Sequence, residues 1–375
     1  MKTKYQFTIM LVVLLSVSAC VRKTQPYRTE EISFESGSFH VVGDLQLPEG
    51  TGPFPVILFV HGSGDADRTL FGMYLPIMER MLRAGYATFA WDKPGTGEST
   101  GYFTPGRVHR QRAQIVLDAI EVMKAHPDID PGQIGLWGIS QAAWVMPRVL
   151  AQSKDIAFLT CVSCAGISSD DQMAFQVISQ AICAGVPEKK AADLERLLSE
   201  LDTVRTFETY DEYLRYHEAL EALAQLGSVS IENWPALSEE DWQKNDPNLE
   251  DLWNPIEVIE QVRIPVLVIN GDRDTNIDPI QGAHAWRKAL EQAGNPNFRV
   301  ELLPGVNHFM TLAETSCIAE GMQTFDQVLQ DQGYGSIKEA FVLFQQEPGE
   351  HTPLSKWPYE PRFLDLQEDW LRDLR

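Results

Sequence analysis

The chain has 375 residues, of which 44% are hydrophobic, and a formal net charge of −22. This length suits one large α/β domain with an insertion, because single domains commonly reach about 250 residues. Basic residues cluster only between Arg107 and Arg112, so the composition argues against nucleic acid as a partner. We expect the acidic balance to serve solubility, and the sequence leaves the oligomeric state open.

The N-terminus has the layout of a bacterial lipoprotein signal peptide. Two lysines precede an apolar run, Phe7 to Leu15, that is too short to span a bilayer as a helix, and small residues then lead to Cys20. The ending VSAC resembles the bacterial lipobox, which implies acylation of Cys20. Residues 1–20 are therefore predicted to be the signal peptide and lipid anchor of an exported cell-envelope protein, and 21–28 a tether. Cleavage near Ala19 with free release is the alternative.

Short apolar runs alternate with helical patterns along most of the chain, which is typical of βα units around a mostly parallel sheet. Period-two alternation on both sides of Gly37 predicts an N-terminal hairpin. Later runs are apolar on both faces, as strands covered by helices must be. These strands are predicted at 55–60, 86–91, 133–138, 157–163, 264–270 and 298–303, and helices at 70–84, 108–126, 141–152 and 280–293.

One connection is much longer than the others. About a hundred residues separate the predicted strand 157–163 from the next one, 264–270, and this stretch carries helical patterns of its own. We therefore predict a helical cap at 167–256, inserted into a core formed by 29–166 and 257–345. The remaining residues, 346–375, are predicted to be a C-terminal tail that ends in a helix docked on the surface.

The stretch GISQAAW follows a predicted strand and begins a helix. Gly138, Ser140 and Ala142 form a G-x-S-x-G pattern with alanine in the last place, and small residues are needed there because strand and helix approach closely. Such a turn would hold Ser140 exposed at the positive end of the helix. The motif alone is short, so its context decides whether Ser140 is a nucleophile.

A nucleophilic serine needs a base, and the base needs an acid to orient it. His308 and Asp274 lie in the loops after the last two predicted strands, which gives the order Ser, Asp, His. Asp272 is a rival for the acid. Asp278 directly precedes Pro279, which favours a helix N-cap instead.

The predicted strand 55–60 runs into HGSG, a turn that can direct amide groups into the site. Acyl transfer needs such fixed donors for the oxyanion. We expect the N–H groups of Ser63 and of Gln141, the residue after the nucleophile, to serve, with Gly64 as second choice for the first donor. A plain tight turn is the alternative. In the following loop, DKPGTGEST, Asp92 is expected to be structural.

These motifs together, HGSG, DKPGTGEST, GISQAAW, GDRDTNID and LPGVNHF, resemble the α/β-hydrolase superfamily of serine hydrolases over about residues 30–335 outside the cap. The G-x-S-Q-x-x-W-x-x-P elbow is similar to that of exported bacterial esterases and of the dienelactone-hydrolase and prolyl-oligopeptidase-like branches. The resemblance implies an α/β-hydrolase fold, an acyl-enzyme mechanism on Ser140, His308 and Asp274, and no metal or organic cofactor. Ala142 departs from the usual glycine, which would set the helix slightly further from the strand.

The sequence therefore predicts a serine hydrolase that cleaves carboxylic esters of small molecules. A prolyl-oligopeptidase-type peptidase or a thioesterase would use the same triad, and a non-catalytic binding lipoprotein is a further alternative. Aromatic residues of the predicted cap could line an apolar pocket or form the cap's own core. The candidate pocket residues are Gly64, Trp144, Tyr213 and Trp234.

Four cysteines follow Cys20 in the chain. Cys161 and Cys164 have C-x-x-C spacing but lie in or beside an apolar run, and no second pair completes a zinc site. We therefore expect them to be buried apolar cysteines. An oxidising compartment would permit a disulfide, and the sequence does not decide which of Cys161, Cys164, Cys183 and Cys317 would form it.

Overall fold

A mixed sheet of eight strands, in the order β1-β2-β4-β3-β5-β6-β7-β8, forms the centre of the protein. Its strands are β1 (Tyr27–Ser36), β2 (Phe39–Pro48), β3 (Phe54–Val60), β4 (Ala87–Trp91), β5 (Ile129–Ile139), β6 (Ile156–Val162), β7 (Val266–Gly271) and β8 (Phe298–Leu303). The computed structural model describes residues 27–104, 107–167, 169–187, 189–190, 209–227, 236, 238–245, 254–335 and 352–375. The predicted signal peptide with Cys20, and Trp234, lie outside these ranges.

The first two strands form the predicted hairpin, and β2 pairs with β4 antiparallel. All pairs from β4 through β8 are parallel, which confirms the mostly parallel sheet expected from the sequence. Helices lie between and after the strands: α1 (Leu75–Arg83), α2 (Val108–Ala125), α3 (Ala142–Leu150), α4 (Ser169–Cys183), α5 (Tyr210–Gly227), α6 (Glu239–Asn245), α7 (Ile256–Ile259), α8 (Pro279–Gln292), α9 (Ile318–Asp331) and α10 (Pro361–Asp373).

Successive residues of the central strands supply two cores, one on each face of the sheet. In β3, Val56 and Leu58 join the core covered by α2, α3 and α8, whereas Ile57 and Phe59 join the core covered by α1 and α10. Side chains alternate across a strand, so a strand buried on both faces must be apolar throughout. This explains why the strand sequences show continuous apolar runs.

The C-terminal helix α10 is built into the second of these cores. Phe363 and Trp370 are buried there, and the Trp137 indole N–H on β5 donates to Gln367 Oε1 at 2.7 Å. The Tyr86 hydroxyl also donates to the Leu371 carbonyl at 2.9 Å. The predicted tail helix is therefore an integral layer of the fold.

The predicted helix at 70–84 begins only at Leu75. Leu70 and Phe71 have φ of 49° and 55°, in the left-handed region that ends any right-handed helix. The carboxylate of Asp67 holds this turn by accepting bonds from the Phe71 N–H and from the Thr69 hydroxyl. Local side-chain bonding of this kind competes with helix formation.

Within the predicted cap, the structure describes α4, α5 and α6, and α4 packs against α5. A disulfide joins Cys183, the last residue of α4, to Cys317 at the start of α9. A second disulfide joins Cys161 and Cys164. Both residues of this second pair are buried, as expected from the sequence, and the turn after β6 brings their Cα atoms to 5.8 Å, within the range of a disulfide.

In the described part of the chain, every helix is too short or too polar to cross a membrane.

Candidate active site

Ser140 lies on a sharp turn between β5 and α3. Its φ of 56° is left-handed, and its N–H donates to the Val162 carbonyl on β6 at 2.9 Å. A Cβ added to Gly138 would lie 2.6 Å from the Ala142 Cβ and 2.8 Å from the Met146 sulfur, so only glycine fits where the helix crosses the strand. The turn is the strand-to-helix elbow that the motif predicts.

A chain of hydrogen bonds runs from this serine to a buried carboxylate. His308 Nε2 is 3.1 Å from Ser140 Oγ, and His308 Nδ1 is 2.8 Å from Asp274 Oδ2. A carboxylate can only accept, so Nδ1 carries the proton and Nε2 is free to accept from the serine hydroxyl. The other carboxylate oxygen of Asp274 accepts the amides of Asn276 and Ile277, at 2.8 and 3.0 Å, which fixes its orientation.

The rival acids have other partners. Asp278 accepts the N–H groups of Ile280 and Gln281 at the start of α8, which confirms its predicted role as N-cap. Asp272 accepts the Gly305 N–H at 2.6 Å. Neither of them pairs with His308, whose Nδ1 is bonded to Asp274.

Ser163, which sequence reasoning did not single out, anchors the loop that carries the histidine. It directly follows β6, has φ of 48°, and its hydroxyl donates to the His308 carbonyl at 2.8 Å. The Cys161–Cys164 disulfide encloses Ser163 and its neighbour Val162 in a short loop. The sequence could have indicated Ser163 through its position at the carboxyl end of a strand, because β5 to β8 all end at this edge of the sheet.

The HGSG turn lies beside Ser140, and its carbonyl groups are held by buried cations. Lys93 Nζ donates to the carbonyls of Gly62, at 2.9 Å, and Gly64, and Arg112 Nη2 donates to that of His61. Among the described residues, the amides of Ser63 and Gln141 donate to no protein acceptor. These two N–H groups are thus available for an oxyanion, as the sequence predicts.

Arg112 connects the two predicted donors. Its Nη1 donates to the Gln141 side-chain Oε1, while Nη2 bonds the HGSG turn. Burial lowers the pKa of Arg112 to about 10 and that of Lys93 well below its ordinary value. In the sequence, Arg112 was noted only as part of a basic stretch, but its spacing from Val116, Ala119 and other buried residues of α2 puts it on the inner helix face.

His61 is neutral and structural. Burial, reinforced by the nearby Lys93 charge, lowers the pKa of His61 to about 3. Its Nε2 donates to the Trp91 carbonyl at 2.6 Å, so Nδ1 accepts from the Tyr74 hydroxyl at 3.3 Å. Asp92 is also buried and pairs with Arg68 at 2.7 Å, in keeping with the structural role expected for it.

A cavity of about 300 Å³ opens beside Ser140, His308 and Ser63. Of the residues that the sequence predicted to line this pocket, none of those in the described ranges does so. Gly64 is held by Lys93, and Trp144 is buried, with its indole N–H donating to the Ile167 carbonyl at 2.9 Å. Tyr213 stacks on Tyr210 within α5, with ring centres 5.9 Å apart. Trp144 is thus a buried residue of the elbow helix, and Tyr213 packs against other aromatic residues of the cap.

The model of the X-Pro dipeptidyl-peptidase family, S15, matches residues 37–308. The chain belongs to the S15 family. Together with the sheet order and the elbow, this membership confirms the predicted α/β-hydrolase fold and the serine-hydrolase superfamily.

Esterase EstD from Thermotoga maritima is 24% identical to this S15 member over 276 residues, which are 72% of the chain, and the chain spans 58% of that relative's length. Similar solved structures include the Pyrococcus furiosus esterase Pf2001, at 17% identity over 74% of this chain and 82% of that one, with a TM-score of 0.46. The Pyrococcus horikoshii acylaminoacyl peptidase is 17% identical over 76% of this chain and 38% of its own, with a TM-score of 0.47.

Proposed function

We propose that this S15 member is a serine hydrolase that cleaves carboxylic esters of small molecules through an acyl-enzyme. The observation that carries the proposal is the continuous hydrogen-bond chain from Ser140 through His308 to Asp274, next to two amides without a protein acceptor. A nucleophile, an oriented base and preformed oxyanion donors are the parts that acyl transfer requires.

In the proposed reaction, His308 Nε2 takes the hydroxyl proton as Ser140 Oγ attacks the ester carbonyl carbon. The oxyanion accepts the N–H groups of Ser63 and Gln141, and the imidazolium is stabilised by Asp274. Collapse of the tetrahedral intermediate breaks the C–O bond, and His308 gives its proton to the leaving alcohol. Water then attacks the acyl-enzyme by the same route and releases the acid and Ser140.

The family's dipeptidyl-peptidases supply the alternative function. Removal of an N-terminal dipeptide requires a site for the free amino group two residues from the scissile bond, and a cationic amine near an apolar cavity needs an acidic partner. The described residues that line the cavity include no carboxylate. This favours an ester over a peptide, as does the similarity to an esterase.

The test is labelling of the purified protein, from residue 21 onward, with a fluorophosphonate, together with turnover of nitrophenyl esters. Ser140→Ala should abolish labelling and lower kcat by about four to six orders of magnitude. The exposed Ser38, in the hairpin turn, offers a matched control, and Ser38→Ala should label like the wild type. A folded wild type that neither labels nor hydrolyses any ester would refute the proposal, and faster cleavage of an X-Pro amide would support the peptidase.

We propose further that the protein is exported and anchored to the bacterial envelope by lipid on Cys20. The N-terminal sequence supports this, as do the two disulfides, since such bonds persist in oxidising compartments. Metabolic labelling of the full chain with a tagged fatty acid should mark the wild type in the membrane fraction, and Cys20→Ala should remove the label. An unlabelled, soluble wild type would contradict the anchor.

A further inference from the structure

The cavity beside Ser140 has walls of a single chemical kind. Of the described residues that line it, only Ser63, Ser140 and His308 have polar side chains, none is Asp, Glu, Lys or Arg, and the other side chains are apolar. Burying a charged substrate group against such walls without a partner would be costly. The cavity therefore selects an uncharged, apolar group.

The first wall is the turn that follows HGSG in the chain. Leu70, Phe71 and Met73 line the cavity, and the first two have left-handed backbone angles. Non-glycine residues seldom adopt this conformation unless the surroundings impose it. Here Asp67 imposes it, through its bonds to Thr69 and Phe71.

The second wall is formed by helix α9 and by Phe309, the residue that directly follows His308. Met322, Phe325 and Leu329 lie on one face of the helix at i, i+3 and i+7 spacing and line the cavity together with Phe309. The rings of Phe309 and Phe325 meet edge to face with centres 5.0 Å apart. The Cys183–Cys317 disulfide fixes the beginning of this helix.

The third wall is a segment just before the C-terminal helix. Pro353 and Leu354 line the cavity, and the Leu354 N–H donates to the Phe71 carbonyl at 2.9 Å, which joins this wall to the first. Trp357 joins it to the second, because its indole N–H donates to the Phe309 carbonyl at 3.0 Å and its ring lies 4.4 Å from that of Phe325. The three walls thus form one cross-linked enclosure.

We propose, on the basis of the esterase function above, that the preferred substrates are esters with an uncharged apolar group of up to about ten carbon atoms, and that Phe325 and Leu354 set this length. The number of carbon atoms follows from the cavity volume of about 300 Å³. A methylene group occupies a volume similar to that of one water molecule in the liquid, roughly 30 Å³. The C-terminal segment and α9 are the specificity-determining elements of the site.

The test uses two homologous series, nitrophenyl esters of linear acids and acetate esters of linear alcohols, from two to about fourteen carbons. In one series kcat/KM should rise about fourfold per methylene, as expected for transfer of a methylene into an apolar cavity, and then stop rising near ten carbons. Phe325→Ala should move the optimum to longer chains, and Leu354→Phe to shorter ones. Ile280→Ala, at an exposed apolar residue of α8, is the control and should leave the optimum unchanged.

Each outcome separates this inference from the function on which it depends. Absence of labelling and of turnover with every ester refutes the function itself. Turnover of short esters with no dependence on length in either series refutes only the assignment of the cavity. An optimum that exists but does not move in folded Phe325→Ala and Leu354→Phe variants, judged by melting temperature, refutes the role of the two walls.

Discussion

The proposed catalytic residues and the cavity walls meet at Ser140 but come from different kinds of chain segment. Ser140, Asp274 and His308 all follow parallel strands at the carboxyl edge of the sheet. The walls instead combine a turn, a helix and a segment near the C-terminus, which contain no common motif. Changes at the sheet edge should therefore lower kcat for every substrate, whereas changes in the walls should reorder the substrates.

The largest expected effect is at the acid of the triad. Asp274→Asn would favour the wrong histidine tautomer and should lower kcat by about four orders of magnitude for short and long esters alike. Asp278→Asn is the matched control, because asparagine also caps helices, and it should change kcat by less than about twofold. Steady-state kinetics would show the difference, and a larger loss in Asp272→Asn than in Asp274→Asn would contradict the assignment of the acid.

A smaller loss is expected when the link between the oxyanion donors is cut. Arg112→Met removes the bonds to Gln141 and to the His61 carbonyl and should lower kcat about 10- to 100-fold for all chain lengths, with KM nearly unchanged. Arg107→Met, at an exposed position before α2, serves as control. An effect on KM alone, or on long esters alone, would mean that Arg112 does not position the donors.

Acidic pH should lower the stability of the fold near the carboxyl edge of the sheet. Burial lowers the pKa values of His61 and His109 to about 3, so the fold prefers their neutral forms. The unfolded chain binds these protons near pH 6.5, so the stabilisation is complete above pH 6.5 and is lost as the pH falls toward 3.

For two such groups, the free energy of unfolding should fall by up to about 3 kcal/mol per pH unit as the pH decreases from about 6.5 toward 3. His109→Phe, which keeps an aromatic ring on Trp144, should remove about half of this slope in urea titrations at several pH values. An unchanged slope would show that His109 is protonated in the fold.

The smallest effect on activity is expected in the cap. Tyr213→Ala removes the stacking on Tyr210 and should cost about 1 kcal/mol of stability, seen as a lower melting temperature. The chain-length optimum should stay where it is, because Tyr213 does not line the cavity. A shifted optimum would support the prediction, made from the aromatic composition of the cap, that the cap lines the substrate pocket.

The cap and the C-terminal tail show where prediction from sequence stopped. Aromatic richness indicated the cap as the pocket wall, yet Tyr213 packs against Tyr210 and Trp242 of the cap itself, and Trp234 lies outside the described residues. The tail was expected to dock on the surface, but it fills one core through Phe363 and supplies Leu354 to the cavity. Composition reports which residues need burial but not the neighbours that bury them.

The sequence by itself determined the sheet, the elbow and the triad. Local apolar runs predict the strands, and parallel strands have their carboxyl ends at one edge of the sheet. Residues in the loops that follow these strands are therefore expected to lie close together. Only the tertiary structure decided the partners of Arg112, the anchor of His308 on Ser163, the two disulfides and the three cavity walls. All of these except the Cys161–Cys164 disulfide join segments distant in the chain, and such contacts depend on packing geometry, which no local pattern encodes.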